Sequence, residues 1–320
     1  MDSLSKKTIA ALEQLCPGGV AQRVSLAQLS QWRVGGLADV IASPTSTQQV
    51  AALRRFFNDA GIAHLVIGQT TNLLFADEGL RAPCIMIGSR MSGVRMTAEN
   101  IHAQSGVWVP NLARQAMKAG LTGIEHICGI PGTLGGLVCM NGGSQRQGVG
   151  SSVSVVQSVD SAGVIRKRKL NECGFSYRSS VFQSNDEIVT DVQLQLKRGC
   201  KPLIRHEMLA ILSDRRHKFP RRQPNCGSVF VSDPALYDQY GPPGRIIEYL
   251  GFKGHAVGGA KVSERHANFI VNIGNARALD ILTIISEIRA ATERYMGRPL
   301  VSEVRYVSQD GKIRPASDAI

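Results

Sequence analysis

Cys128-Gly-Ile-Pro-Gly-Thr-Leu-Gly-Gly-Leu-Val-Cys-Met-Asn-Gly-Gly143 is the stretch on which the reading of this chain turns. Six of its sixteen residues are glycine and one is proline, so nearly every polar group it offers belongs to the backbone. Glycine reaches φ > 0 and lets main-chain N–H groups approach a ligand with no Cβ in the way. A phosphate-bearing cofactor needs that kind of surface. A single loop of this composition is equally an ordinary connection between helix and strand. A second backbone-rich loop, Gly68-Gln-Thr-Thr-Asn-Leu-Leu74, shifts the balance, because two of them suit a cofactor long enough to be gripped twice. Neither is a Rossmann or Walker fingerprint: Gly129-x-x-Gly132-x-x-Gly135 has the wrong first spacing, and Gly-Lys-Ser/Thr does not occur.

Outward from these loops the pattern alternates. Ala38–Ala42 is a strand candidate, and Ser46-Thr-Gln-Gln49 has capping-box form ahead of Val50, Leu53, Phe56 and Phe57 at helical spacing. His64–Ile67 reads as a strand running into the first loop. Cys84–Ile87 and Ile101–Gln104 read as further strands, and Pro110 opens a helix that stops at Gly120. Beyond the second loop come strand candidates at 153–159, 164–169 and 187–196, with Asp160-Ser-Ala-Gly163 as a hairpin turn. Composition changes near Arg198-Gly-Cys-Lys-Pro202. A helix over 206–218, a Gly/Pro-rich stretch, a short helix over 245–250 and a strand over 269–272 follow. Asn275 is positioned to cap a long helix with Leu279, Leu282, Ile285 and Ile288 on one face, ended by Gly297. The tail after Asp310 is polar and expected to be loose.

At 320 residues the chain has room for about two domains. It is 43% hydrophobic and 19% charged, ordinary for a globular protein, and has no apolar run of membrane-spanning length. Met1–Lys7 lacks the apolar centre of a signal peptide, and the seven cysteines have no CxxC or metal-ligand spacing. A cytoplasmic protein with reduced thiols and no bound metal is expected. The net charge of +12 is densest at Arg215-Arg-His-Lys-Phe-Pro-Arg-Arg222. Nucleic acid, a small polyanion such as a nucleotide diphosphate, or plain solvation would each suit it. Aromatic residues at 5% and the lack of a helix-turn-helix, zinc or RNP pattern speak against nucleic acid.

Four polar clusters stand in apolar or glycine-rich surroundings: Tyr177-Arg-Ser-Ser-Val-Phe182, Asn225-Cys-Gly-Ser-Val-Phe230, Ser263-Glu-Arg-His-Ala-Asn-Phe269 and Ser302-Glu-Val-Arg305. Singly, each has a plain explanation. Arg178 suits a surface, Ser228 a turn cap, Glu303 a pairing with Arg305, and His266 and Asn268 local backbone bonds.

Their order and wording go further. With Trp32-Arg-Val-Gly-Gly-Leu-Ala-Asp39, Asn72-Leu-Leu74, Gly129–Gly136, Met140-Asn141 and Gly258-Gly-Ala-Lys-Val-Ser263, the chain resembles the UDP-N-acetylenolpyruvoylglucosamine reductases, also called UDP-N-acetylmuramate dehydrogenases, from about Trp32 to Val307. The resemblance implies an α+β fold: an FAD-binding domain of the vanillyl-alcohol-oxidase/PCMH type and a smaller α+β substrate-binding domain. The FAD-binding domain would span 1–200, in lobes of about 25–80 and 81–200, completed by 300–320, with the substrate domain at 201–299. It implies non-covalent FAD, NADPH as electron donor, a UDP-sugar substrate, no nucleic-acid or membrane partner, and a monomer. Arg178, Ser228 and Glu303 match the catalytic positions. Gly68, Gln69, Thr70, Thr71, Asn72 and Leu73, with Gly129, Ile130, Gly132, Thr133, Gly135 and Gly136, match the cofactor loops. Tyr177, Asn225, Lys253, Lys261, His266 and Asn268 are the expected substrate contacts. The chain departs from the family's usual wording at Thr71, Cys226, Val231, Ser232 and Val301-Ser302, and Asp233–Pro243 is longer. A paralogue acting on another enoyl or dehydro substrate, or a basic nucleotide-binding protein without catalysis, is the alternative.

Overall fold

The computed structural model describes residues 4–320. Its N-terminal segment carries two elements that apolar patterning does not announce. Helix α1 (Lys6–Leu15) starts at Ser5, whose Oγ accepts the Thr8 N–H, and strand Val20–Ser25 runs antiparallel to Leu37–Ala42. Leu37–Ala42 then pairs in parallel with Cys84–Met86, which pairs in parallel with Leu65–Ile67. Helix α2 (Thr47–Asp59), capped by Ser46 Oγ on the Gln49 N–H, lays Val50, Leu53 and Phe57 into a core with Leu12, Val40 and Ile85. The first Gly loop leaves this sheet directly after Ile67.

The second lobe is an antiparallel sheet in the order Ile165–Lys169, Val153–Val159, Ile188–Gln195, Asn100–Gln104, Val94–Thr97. The turn at 160–163 closes with the Gly163 N–H on Asp160 O, and Gly163 takes φ 75°. Helix α3 (Val109–Ala119) has Pro110 in its first turn and ends on left-handed Gly120, as its sequence signals dictate. The second Gly loop leads into the short helix α4 (Leu134–Cys139), capped by Thr133 Oγ1 on the Gly136 N–H.

Helix α5 (Lys201–Lys218) begins five residues before the expected start at 206. Its buried Ile204, Met208 and Ile211 share one core with Leu112, Ala116, Ile127, Cys128 and Leu134. By packing, therefore, α5 belongs with the second lobe, and a boundary after Lys218 fits the cores better than one at residue 200. The composition shift near 200 coincides with the start of an amphipathic helix with a charged outer face.

The remaining core gathers α6 (Pro243–Tyr249), α7 (Ala278–Met296) and the antiparallel strands Ala256–Val257, Ala260–Val262 and Ile270–Asn272. It also takes in Trp32, Val34, Leu74, Leu300, Val304 and Ala316 from outside that segment. Fully buried Trp32 donates its indole N–H to Ile270 O at 2.7 Å, and Asn272 Nδ2 donates back to Trp32 O at 2.9 Å. Asn275 does not cap α7. It occupies a left-handed turn (φ 52°), and the first N–H groups of the helix are taken by Asp77, from the first lobe, and Asp280. Leu279 is consequently exposed, while Leu282, Ile285 and Ile288 are buried. The tail after Asp310 is not loose: Ile313–Pro315 pairs with Arg305–Val307, which runs parallel to Leu73–Phe75.

One buried cation fastens the two lobes together. Arg54 on α2 is 2% exposed, and its guanidinium donates to Asp160 O, Asp186 O and Asp186 Oδ2. Its Nη1 also lies 3.0 Å from His64 Nε2. Arg54 can only donate, so His64 must accept there and be neutral, with its Nδ1–H toward Ile62 O. Burial, reinforced by Arg54, holds His64 below the usual imidazole range. A base whose pKa is lowered by folding contributes stability that is complete above its unfolded value, about 6.5, and lost as pH falls below it. Chemical denaturation should therefore show wild-type stability declining between about pH 7 and 5, with His64→Gln, which keeps an acceptor, flattening that slope. Arg54→Met strands two carbonyls and should cost about 2–5 kcal/mol.

Candidate active site

Glu303 is held at the meeting point of three segments distant in sequence. Its N–H donates to Val229 O at 2.8 Å, and its carbonyl accepts from Asn72 Nδ2 at 2.9 Å. A Phe230–Ser302 bridge, Val231 N–H on Val301 O and Arg305 N–H on Asn72 O extend the pairing to either side. The strand that carries Glu303 is thus seated between the Ser228 loop and the first Gly loop. The Glu303 carboxylate meets Arg178, with Oε1 3.2 Å from Nε; the two side chains are 16% and 31% exposed. That nitrogen makes no directed hydrogen bond, so the contact is one of charge and distance. Burial pushes the Glu303 carboxyl up from the usual carboxylate range, and Arg178 opposes the rise.

Arg178 reaches this position from a two-residue turn. Ser176 and Ser179 exchange both backbone hydrogen bonds, and Arg178 sits at φ 54°. A left-handed non-glycine residue costs about 1–2 kcal/mol and persists only when its surroundings over-determine it. Here Gln183 Nε2 donates to Arg178 O, Asn141 Nδ2 to Ser176 O, and Ser180 Oγ to Cys139 O. These bonds strap the turn to the end of α4 and hence to the second Gly loop. Neither Asn141 nor Gln183 was a candidate from sequence. Tyr177, 58% exposed, stands beside the guanidinium at 5.7 Å.

Ser228 lies between left-handed Gly227 (φ 83°) and buried Val229, is itself half-buried, and its hydroxyl is outside the surrounding hydrogen-bond network. Two expected substrate contacts are bonded into the loop that carries it. Asn225 spends its amide on the Gly227 N–H and on Pro220 and Gln223 carbonyls. Buried Asn268 uses Oδ1 and Nδ2 on the N–H and carbonyl of Phe230, and its own carbonyl accepts the Val229 N–H. Both therefore shape the Ser228 loop. His266 packs against Phe219 and Phe269, and burial lowers its pKa. Lys253 and Lys261 are paired with Glu248 and Glu264 and form no bond to the Arg178–Glu303 pair. Cys226 is buried with its thiol 3.7 Å from Thr70 O and Leu73 O, so it joins the Ser228 loop to the first Gly loop. Ser232 bonds Tyr237 within the longer 233–243 stretch.

The two Gly loops face each other. A Cβ on Gly68 would meet Thr133 Oγ1 at 2.7 Å, and one on Gly132 would meet Thr71 Oγ1 at 3.4 Å. Gly132 also sits at φ 140°, which side chains rarely adopt. Among the described residues, the backbone N–H groups of Gln69, Thr70, Thr71 and Asn72, and of Gly132 and Thr133, have no intramolecular partner. Such a double row of free donors fits a cofactor diphosphate. Thr70 is itself left-handed (φ 52°) and ties its hydroxyl to Leu29 O. Gly135 is different: its N–H is used on Ser105 O, and a Cβ would strike Ser105 at 2.8 Å, so it serves packing. Gly129 packs against the stem of Arg215, a half-buried guanidinium over the Phe219 ring that pairs with no carboxylate among the described residues. Composition alone hid Arg215 within the basic run. Cys128, beside the loop, turns its thiol to Met208 O and is pushed up to about 11 by burial.

Known proteins match this arrangement. Residues 38–167 fit the family model described as FAD binding domain, and residues 219–307 fit that described as UDP-N-acetylenolpyruvoylglucosamine reductase, C-terminal domain. Fold and site together define an FAD-dependent oxidoreductase. The chain is 44% identical to UDP-N-acetylenolpyruvoylglucosamine reductase 1 of Corynebacterium glutamicum, covering 93% of this chain and 89% of that one. It is 39% identical to the reductase of Heliobacterium modesticaldum, over 91% of each. The crystal structure of the Thermus caldophilus reductase superposes with a TM-score of 0.75 at 29% identity, covering 89% of this chain and 98% of the other. The chain belongs to the UDP-N-acetylenolpyruvoylglucosamine reductase family.

The geometry separates loop glycines from packing glycines. Gly132→Val should purify with its fold but little flavin, read as absorbance per mole of protein. Gly135→Val should lower the melting temperature of the flavin-free protein. Asn268→Ala strands two buried backbone groups and should cost about 2–4 kcal/mol in urea unfolding. If it instead raised only KM at unchanged stability, the amide would be a substrate contact after all.

Proposed function

We propose that Arg178, Ser228 and Glu303 divide the chemistry of reducing the enolpyruvyl ether of UDP-N-acetylglucosamine enolpyruvate to UDP-N-acetylmuramate, with NADPH as donor and the cytoplasm as the place of reaction. The observation that carries this reading is the Arg178–Glu303 contact, seated by Asn72 and Val229 beside the Ser228 loop. The free N–H groups of Gln69–Asn72 and of Gly132 and Thr133 would hold FAD, which would supply hydride chemistry between NADPH and C3 of the double bond. The protein must then manage charge and one proton.

Hydride arrival at C3 leaves negative charge over C2 and the carboxylate. Arg178 supplies a fixed guanidinium that can hold a carboxylate in two bonds and stabilise that charge. The proton must reach C2, and Ser228 offers a hydroxyl held on a rigid loop. A serine hydroxyl is a weak acid, so it needs a strongly basic carbon and tight placement. Glu303 can support protonation only in its acid form. Burial already favours that form, and a substrate carboxylate drawn to Arg178 would favour it more by like-charge repulsion.

The sign of the pH dependence follows. With Glu303 acting as an acid, turnover should fall as pH rises through its raised pKa, and Glu303→Gln should be slow but lack that alkaline limb in a kcat profile. Ser228→Ala tests the assignment most sharply. Its reductive half-reaction with NADPH should stay near wild-type in stopped-flow at the flavin band. Its oxidative half-reaction with the enolpyruvyl substrate should slow by about 10²–10⁴-fold. Equal slowing of both halves would make the serine structural.

A further inference from the structure

The basic run that precedes the Ser228 loop splits in the folded chain. Arg215 turns to the second Gly loop, and Lys218 pairs with Asp214. Arg216, Arg221 and Arg222 go elsewhere. With Lys261 and Arg265 they line a cleft of about 870 Å³, whose apolar lining is Pro220, Val271 and Ile273, the first two buried and Ile273 exposed. None of Arg178, Ser228 or Glu303 lines it. Its one carboxylate, Glu264, is paired with Lys261. No carboxylate pairs with Arg216, Arg221, Arg222 or Arg265 among the described residues; Arg265 donates only to Arg216 O. A concave site of this volume is of small-ligand size. Four unneutralised guanidinium groups around one concavity repel each other and raise the local anion concentration. Their planar forks match phosphate oxygens.

We propose that this cleft is a second anion site, separate from the catalytic centre, which binds a diphosphate group, free or carried on a nucleotide whose apolar part rests on exposed Ile273. The 220–223 and 263–265 segments that form it run into the Asn225 turn and into His266. A bound diphosphate would therefore bridge these two segments.

The test is calorimetric titration of the oxidised, FAD-loaded enzyme, without NADPH and saturated with the enolpyruvyl UDP-sugar so that the catalytic centre is filled. Inorganic pyrophosphate is one probe and ADP the other. Binding of pyrophosphate should persist under saturation, and should weaken by about tenfold or more in R221E/R222E, one charge-assisted contact being worth about that factor. Flavin content, kcat and KM should stay at wild-type values. Tighter binding of ADP assigns exposed Ile273 to a nucleotide, and equal binding assigns the site to free diphosphate. R221Q/R222Q carries the same comparison should charge reversal disturb the fold. No binding to the saturated wild-type enzyme, or an affinity unchanged in both variants, overturns the proposal. Because these titrations do not depend on turnover, they stand apart from the Ser228→Ala result.

Discussion

The seat of Glu303 is the constraint on which the rest depends. A carboxylate that is to be both mostly buried and close to a guanidinium must be held by its main chain, because its side chain alone would swing to water. The protein does this with Val229 O, which accepts the Glu303 N–H, and Asn72 Nδ2, which donates to the Glu303 carbonyl. Each of those partners belongs to a functional loop. The bond to Asn72 ties the first Gly loop to the C-terminal strand, and the bond to Val229 ties the Ser228 loop to the same strand. Removing this seat would loosen the first Gly loop, the Ser228 loop and the buried Glu303 carboxyl together.

The cores explain why that seat is rigid. Residues 300–316 do not form a peripheral tail but enter the core of α7 through Leu300, Val304 and Ala316, alongside Trp32 and Leu74. Asp77 capping α7 and Trp32 bonding Ile270 tie the first lobe to the C-terminal half through directed bonds, the first part-buried and the second buried. Polar groups buried at an interface must be satisfied, so these bonds fix relative position where apolar packing alone would tolerate sliding. Arg178 is fixed in the same manner, by side-chain amides that hold an otherwise unfavourable left-handed turn.

Strong local signals read true. Ser46 before an amphipathic run, Pro110 and Gly120 bounding a helix, and the turn at Asp160–Gly163 carry their own physical cause and needed no partner. Asn275 misled for an equally local reason: a good capping residue was outcompeted by Asp77, which lies about two hundred residues away. The start of α5 was obscured by Lys201-Pro202, which resembles a linker but is a first helical turn.

The sequence by itself determined the kind of protein. The Gly loops, the ordered polar clusters and the resemblance they carry are properties of residue type and spacing, and those survive without coordinates. What each polar residue does was decided only by tertiary structure. Asn225 and Asn268 find Gly227 and Phe230 as partners, and Gly135 meets Ser105, only once the chain has folded. The physical reason is that an amide or an open Cα has no fixed use of its own. Its use is set by which donor, acceptor or side chain lies within a few ångströms, and for these residues that neighbour is often far along the chain.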